Sequence, residues 1–344
     1  ARLGGVTVVP VTVRPVRYDA ATREVTVAGR VEVDLAWSPG PLVSERLTPS
    51  LAHALAGAAL NWPAVRDDVE VTATHGTWLC IMPSLALQPT VQPLIDWRRE
   101  QGYHVMVADL AMTGPENDDV LAYLQQVYDT VEPPLEFVTL IGDGTGAIAL
   151  PTWREGLSGL QGEGDHAYTL LDGDDQLPDV HIGRLSCRNT TELANIVAKI
   201  VGYETAPPMA SPEWFTRGLA VGDPADSGIT TVFCGEWLAD QLYATGFDRV
   251  DQIYSGDFAT SMVSSLNAGR SVFGYRGFYG VSGFSEGHVS ILSNGGMLPF
   301  ALFPTCESAN WLTETSCRSE VFLRNPNGGA IGAIGTATPG THTR

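Results

Sequence analysis

Hydrophobic positions change their period along this chain. From Val6 to Trp37 they alternate: Val6, Val8, Val11 and Val13, then Val25, Val27, Val31, Val33 and Leu35 after a turn at Asp19-Ala20-Ala21-Thr22. A period of two predicts half-buried antiparallel strands. Pro39 to Asp68 reads as a linker with a helix near Leu51 to Leu60. From Thr77 the texture changes to short apolar runs alternating with helical stretches. Trp78 to Met82, His104 to Ala108 and Phe137 to Ile141 read as strands. Leu94 to Gln101, stopped by Gly102, and Asp118 to Tyr128 read as helices. A strand within Pro178 to Leu185 and a helix from Thr190 to Glu204 extend the series. Such repetition predicts a parallel sheet with right-handed crossovers.

Pro207-Pro208-Met209-Ala210-Ser211-Pro212 is the clearest linker and marks a boundary. Beyond it come strands at Gly218 to Gly222 and Arg249 to Tyr254. Helices follow each, at Thr231 to Thr245 and Thr260 to Ala268, stopped by Gly246 and Gly269. Ser271 to Thr338 then reads as strand, loop, short helix, strand, loop, helix, strand, with strands at Ser271 to Tyr275, Leu298 to Pro304 and Ala330 to Thr336. The organisation predicted is a β-rich segment and linker at 1–70, a first α/β subdomain at 71–206 and a second at 207–344. The chain opens inside a strand pattern and stops at Thr341-His342-Thr343-Arg344 with no helix after the last strand. It is therefore expected to be a trimmed or processed piece.

Charge narrows the function classes. A formal net charge of −19 argues against nucleic acid, whose phosphates demand basic patches. It suits a secreted or salt-exposed protein. No apolar run approaches the ~18 residues of a membrane span. The five cysteines, Cys80, Cys187, Cys234, Cys306 and Cys317, form no CxxC pair, which argues against structural zinc. An odd count leaves at least one thiol free.

One of those thiols stands where chemistry is expected. The run Leu298 to Pro304 delivers Cys306 to the point where a buried strand stops. Ligands in open α/β sheets bind at the carboxyl ends of strands. The strand Ser271 to Tyr275 delivers the loop Arg276 to Gly283 to the same kind of place. Two such loops, one carrying a thiol, make a plausible nucleophile site.

Two motifs there resemble the gingipain family, cysteine peptidases on a caspase-like fold. In that family a strand ending in Tyr-x-Gly-His-Gly supplies the catalytic His, and a strand of Leu-Pro, apolar residues, then Cys supplies the nucleophile. This chain has Tyr275-Arg276-Gly277-Phe278-Tyr279-Gly280 and Leu298-Pro299-Phe300-Ala301-Leu302-Phe303-Pro304-Thr305-Cys306. A second signature is the aspartate-rich loop Gly164-Asp165-His166 and Asp172-Gly173-Asp174-Asp175, followed by Ile182-Gly183-Arg184. Val13 to Asp19 resembles the end of the jelly-roll-like prodomain of gingipain precursors. The resemblance implies an α/β fold: a caspase-like parallel-sheet α/β sandwich in two subdomains, preceded by a β-rich prodomain-like segment.

The resemblance also implies roles. Cys306 is the nucleophile, and Asp223 or Asp226 is the orienting acid. The position of the His holds Phe278, which cannot accept a proton. His288 is the candidate displaced base, with a structural role at a helix start as the alternative. Gly277 and nearby amides are candidate oxyanion donors. Arginine-cleaving members carry an Asp near the helix start that Thr231 occupies here without charge. Gly277, Phe278, Thr231 and Trp311 are the candidate substrate-binding residues; if the chain is instead a binding module, Phe278, Tyr279, Phe284 and Trp311 line an apolar binding groove, with plain core as the alternative. Asp165, Asp172, Asp174 and Asp175 are candidate calcium ligands, or a solvated acidic turn. No cofactor is otherwise required. The expected partners are a protein or peptide substrate and the chain's own prodomain, and the expected location is secreted or cell surface. Cys306 is expected to be the most readily alkylated thiol. The rival readings are an inactive pseudopeptidase serving as a binding or adhesion module and, from fold alone, a doubly wound binding protein. The latter lacks a Gly-rich phosphate loop.

Overall fold

The computed structural model describes residues 2–3, 5–34, 47–68, 71, 75–157, 160–278, 280–281, 283–312 and 316–338. Trp37, the start of the linker at Pro39, Tyr279 and His342 fall outside them.

The N-terminal segment holds two small antiparallel pairs. β1 (Arg2–Leu3) pairs with β2 (Val6–Thr7), and β3 (Val16–Asp19) with β4 (Glu24–Val27). The predicted turn between β3 and β4 is present, and the Asp19 carboxylate accepts the N–H groups of Ala21 and Thr22. The predicted half-burial is not. Residues 9–34 are all exposed, with Val16 at 56% and Val25 at 62%. Alternation predicts a buried face only where a second layer exists to cover it, and no described residue covers this one. Helix α1 (Pro49–Ala58) behaves differently: Leu47, Leu51 and Leu55 form a small buried cluster with Leu3, Val6, Val8, Trp62 and Val71. Trp62 opens the short α2 (Trp62–Val65).

The first α/β unit runs β5 (Thr77–Met82), α3 (Gln88–Glu100), β6 (His104–Asp109), α4 (Leu110–Thr113), α5 (Asn117–Thr130) and β7 (Leu135–Ile141). It continues with β8 (Trp153–Leu157), β9 (Leu160–Gly164), β10 (His181–Leu185) and α6 (Thr190–Thr205). The sheet order is β10–β7–β5–β6, all parallel. All six residues of β5 are buried. Leu79 and Ile81 pack with Val120 and Leu124 of α5, while Trp78, Cys80 and Met82 pack with Leu94, Ile95 and Ile196 of α3 and α6. Period-two alternation thus places two apolar sets on two covered faces, so the strand reads as a continuous hydrophobic run. The β8–β9 hairpin was not anticipated from the pattern.

The second unit runs β11 (Arg217–Gly222), α7 (Thr230–Ala244), β12 (Arg249–Ile253), α8 (Phe258–Asn267) and β13 (Val272–Arg276). It closes with α9 (Glu286–Ser290), β14 (Phe300–Phe303), α10 (Arg318–Arg324) and β15 (Gly332–Gly335). The order is β12–β11–β13–β14–β15, all parallel. Phe273, Phe303, Phe284 and Phe322 form its aromatic core. Gly246 and Gly269 take φ of +96° and +81°, as helix-stopping glycines do.

The two units meet across a buried polar network. Arg324 donates to Asp143 (2.9 Å), to the Ser186 hydroxyl (2.9 Å) and carbonyl (3.1 Å), and to Glu320 (2.7 Å). Lys199 of α6 donates to the carbonyls of Phe322 and Leu323, both at 2.9 Å, at the end of α10. These bonds fix the start and end of the helix that follows the Cys306 loop.

Candidate active site

Three adjacent parallel strands, β11, β13 and β14, end side by side. Gly222 pairs with Arg276, and Gly274 with Leu302. The residues immediately beyond are Asp223, Gly277-Phe278, and Thr305-Cys306. Continuing the β13–β14 register places Phe278 level with Cys306. The loops are joined: Gly280 N–H donates to the Cys306 carbonyl at 2.8 Å, and Asp223 N–H to the Arg276 carbonyl at 2.9 Å.

Ser308 holds the turn that carries Cys306. Its buried hydroxyl donates to the carbonyls of Phe303 (2.9 Å) and Thr305 (2.8 Å) and accepts from Thr336 N–H (3.0 Å). Cys306 is 4% exposed. Three described non-glycine residues have left-handed backbone, and two lie in this edge: Asp226 (φ +59°) and Glu307 (φ +54°), next to Cys306. Such conformations cost on the order of 1 kcal/mol or more and gather at functional sites.

The candidate residues take the following places. Asp223 is buried; its Oδ1 accepts from Ala225 N–H (2.9 Å), and its carbonyl accepts from the Thr231 hydroxyl (2.8 Å). Its Oδ2 accepts no bond from the described residues. Asp226 is exposed, one turn further on. Thr231 is buried and engaged by Asp223 and Gly228, so it closes the loop on α7 and does not open toward a ligand. Gly277 N–H lies 3.3 Å from the Thr305 hydroxyl, which occupies the proposed oxyanion donor in the resting site. Phe278 is 41% exposed at the strand end.

His288 is a helix cap. Its Nδ1 lies 3.1 Å from Ser285 N and 2.9 Å from Ser285 Oγ at the start of α9, and its ring stacks on Phe284. It makes no hydrogen bond to Cys306. Phe284 is fully buried core. Trp311 is half-buried, with a buried Nε1 that has no partner, and it packs with Leu312 over Gly144 of the first unit. Leu312 N–H donates to Glu163 of β9 at 2.8 Å, so the unanticipated hairpin pins this loop.

The four aspartates proposed as calcium ligands are not gathered in one place. Asp165 holds Arg184 bidentately, both bonds at 2.8 Å. Asp172 accepts from the Arg2 guanidinium, and Asp175 from Arg2 N–H and Leu177 N–H. Asp174 is exposed. Among the described residues no three His, Cys, Asp or Glu side chains gather as a metal-ligand set. The donor set as arranged does not fit the ion: Asp165 and Asp172 serve arginine side chains and Asp175 accepts backbone N–H groups.

All five cysteines are free thiols. Burial pushes Cys80 and Cys187 up to about 12 and raises Cys317 as well. Cys234 on α7 is exposed. That corrects the alkylation expectation: accessibility favours Cys234, and only labelling that needs a substrate-like reagent separates it from Cys306. A cavity of about 440 Å³, lined by His104, Met106, Tyr123 and Val127 among others, lies between β6 and α5. No cysteine lines it.

Two parallel-sheet units, the second carrying a cysteine just beyond a strand end, define a two-unit α/β protein. The profile described as Peptidase family C25 matches residues 72–344, and the chain belongs to that family. Gingipain R2 of Porphyromonas gingivalis (strain ATCC BAA-308 / W83) is 22% identical over 329 residues, which is 90% of this chain and 44% of that protein. Lys-gingipain HG66 of Porphyromonas gingivalis is 23% identical over 359 residues, 97% of this chain and 20% of that protein. The chain thus spans less than half the length of these curated relatives. The crystal structure of the Arg-specific cysteine proteinase gingipain R (RGPB) matches with a TM-score of 0.66 at 21% identity, over 75% of this chain and 62% of that one. The complex of Porphyromonas gingivalis RgpB pro- and mature domains gives 0.68 at 22%, over 76% and 64%. These likenesses carry the fold, the caspase-like arrangement of parallel-sheet α/β units.

Proposed function

We propose that this chain is a secreted or surface cysteine endopeptidase with Cys306 as its nucleophile. The observation that carries the reading is the convergence of Asp223, Gly277-Phe278 and Cys306 on three neighbouring strand ends. The Cys306 thiolate attacks a peptide carbonyl carbon. A C–S bond forms, the C–N bond breaks, and the amine leaves with the proton the thiol gave up. Water then cleaves the thioester, freeing the acid and restoring the thiol.

Phe278 stands where the family motif has its His, so no imidazole mediates the proton transfer. Asp223, with one carboxylate oxygen unengaged, is the acid best placed to assist. Turnover is therefore expected to be slow. The test is hydrolysis of a mixed peptide library by the wild type, Cys306→Ala and His288→Ala. Loss with Cys306→Ala alone supports the reading. Loss with both assigns His288 the base role. Absence of cleavage by folded wild type overturns the reading in favour of a binding module built on an inactive site.

A further inference from the structure

We infer that Arg318 forms a carboxylate-binding subsite beside Cys306, and that the preferred substrates are peptides with an acidic residue next to the scissile bond. The inference rests on the peptidase reading and deepens it.

Arg318 opens α10, between the two loops that build the site. Its neighbour Ser319 is bound to the Cys306 turn: Ser319 N–H and Oγ both donate to the Ser308 carbonyl, at 3.2 and 2.8 Å. Arg318 itself reaches the other loop, where Nε donates to the Phe284 carbonyl at 3.0 Å. Its guanidinium lies against Gly280. A Cβ placed on that glycine would meet Nη1, Cζ and Nη2 at 3.1, 3.2 and 3.2 Å. Three nearly equal distances mean that the plane faces the glycine, leaving its edge donors directed around it. Gly280 is the residue whose N–H holds the Cys306 carbonyl. The guanidinium therefore sits one residue away from the nucleophile's own backbone.

Its donors are open. Nε is engaged, but neither Nη has an acceptor among the described residues, and Arg318 enters no ion pair there. The side chain is half-buried. In a chain with 39 acidic and 20 basic residues, a held cation with no anion among the described residues is conspicuous. Arg184 and Arg324 show what the alternative looks like, since both are closed by carboxylates. A guanidinium with two free Nη groups matches a carboxylate geometrically and electrostatically. Meanwhile Thr231, at the position implied for a cation-binding acid, is buried and neutral. The site offers a cation and lacks that anion, the reverse of a pocket for arginine or lysine.

The experiment uses internally quenched peptides that differ only by Glu, Gln or Lys at each position flanking the cleaved bond. For the wild type, kcat/KM is expected to favour Glu over Gln by about tenfold or more at one position. Arg318→Gln removes that preference, Arg318→Lys keeps part of it, and Arg318→Glu turns it toward Lys-containing peptides. Equal cleavage of Glu and Gln peptides, or a preference that survives Arg318→Glu, overturns the inference while the peptidase reading stands. The same peptides, fluorescein-labelled and bound to Cys306→Ala, report the subsite without turnover. Tighter binding of Glu than Gln that is lost in the Cys306→Ala/Arg318→Gln double variant supports it; equal binding overturns it. Cleavage by wild type against Cys306→Ala reads the peptidase claim separately.

Discussion

At the carboxyl edge of the first sheet, polar side chains are matched with one another. At that of the second, several are not. Just beyond β7 and β10, Asp143 and Ser186 are closed by Arg324, and Arg184 within β10 by Asp165. Beyond β11, β13 and β14, Phe278 is left half-exposed, Asp223 keeps a free oxygen, Arg318 keeps two free Nη groups, and Glu307 holds a strained backbone. Similar parallel sheets thus end in one edge closed by ion pairs and one where Asp223 and Arg318 keep groups with no partner among the described residues. A buried polar group is costly unless matched, so the matched edge serves as scaffold. The open groups of Asp223 and Arg318 are available to the proposed substrate.

The comparison breaks most visibly at Cys306. Cys306→Ala is expected to lower peptide hydrolysis on the order of 10³-fold or more, measured as kcat/KM. Next in size is Phe278→His. Placing an imidazole at this position is expected to raise kcat by about 10²–10⁴-fold, the usual contribution of a positioned base. A pH–rate profile should then gain a limb in the imidazole range. If Phe278→His folds and gains nothing, the register argument for its place is wrong.

On the scaffold edge, Arg324→Met is expected to cost about 3–5 kcal/mol, because it strands buried Asp143 and Glu320. Urea unfolding measures it. A loss under 1 kcal/mol would mean that the network is not what joins the units. The smallest effect concerns Lys199. Burial lowers its pKa to about 7, below the ~10.4 of an unfolded lysine. Between those values the unfolded chain binds the extra proton, so stability rises with pH across that window. Lys199→Met should flatten that rise in thermal melts.

Much of this arrangement was legible in the sequence. The apolar runs at Trp78 to Met82 and Phe137 to Ile141 and the helix-stopping Gly102, Gly246 and Gly269 marked both units, because buried parallel strands and glycine stops have local signatures. Cys306 and Phe278 were visible as motif positions. The N-terminal strands show the limit of pattern: alternation at Val25 and Val27 states which face is apolar, not whether anything covers it. Arg318 was passed over because nothing local separates it from any helix-start arginine. Its meaning lies in Gly280 and Phe284, far away in sequence. Nor did the sequence show that Asp165 and Asp172 of the 165–175 loop pair with Arg184 and Arg2, since those partners are set by the fold.

The most direct test of Cys306 as nucleophile is covalent labelling with a peptidyl acyloxymethyl ketone, followed by peptide mapping of the labelled thiol. The reagent needs a substrate-like encounter, which exposure alone does not provide. The account predicts label on Cys306, blocked by competing peptide and unaffected by Cys234→Ser. Label confined to Cys234, or reaching Cys306 only after unfolding, would contradict it.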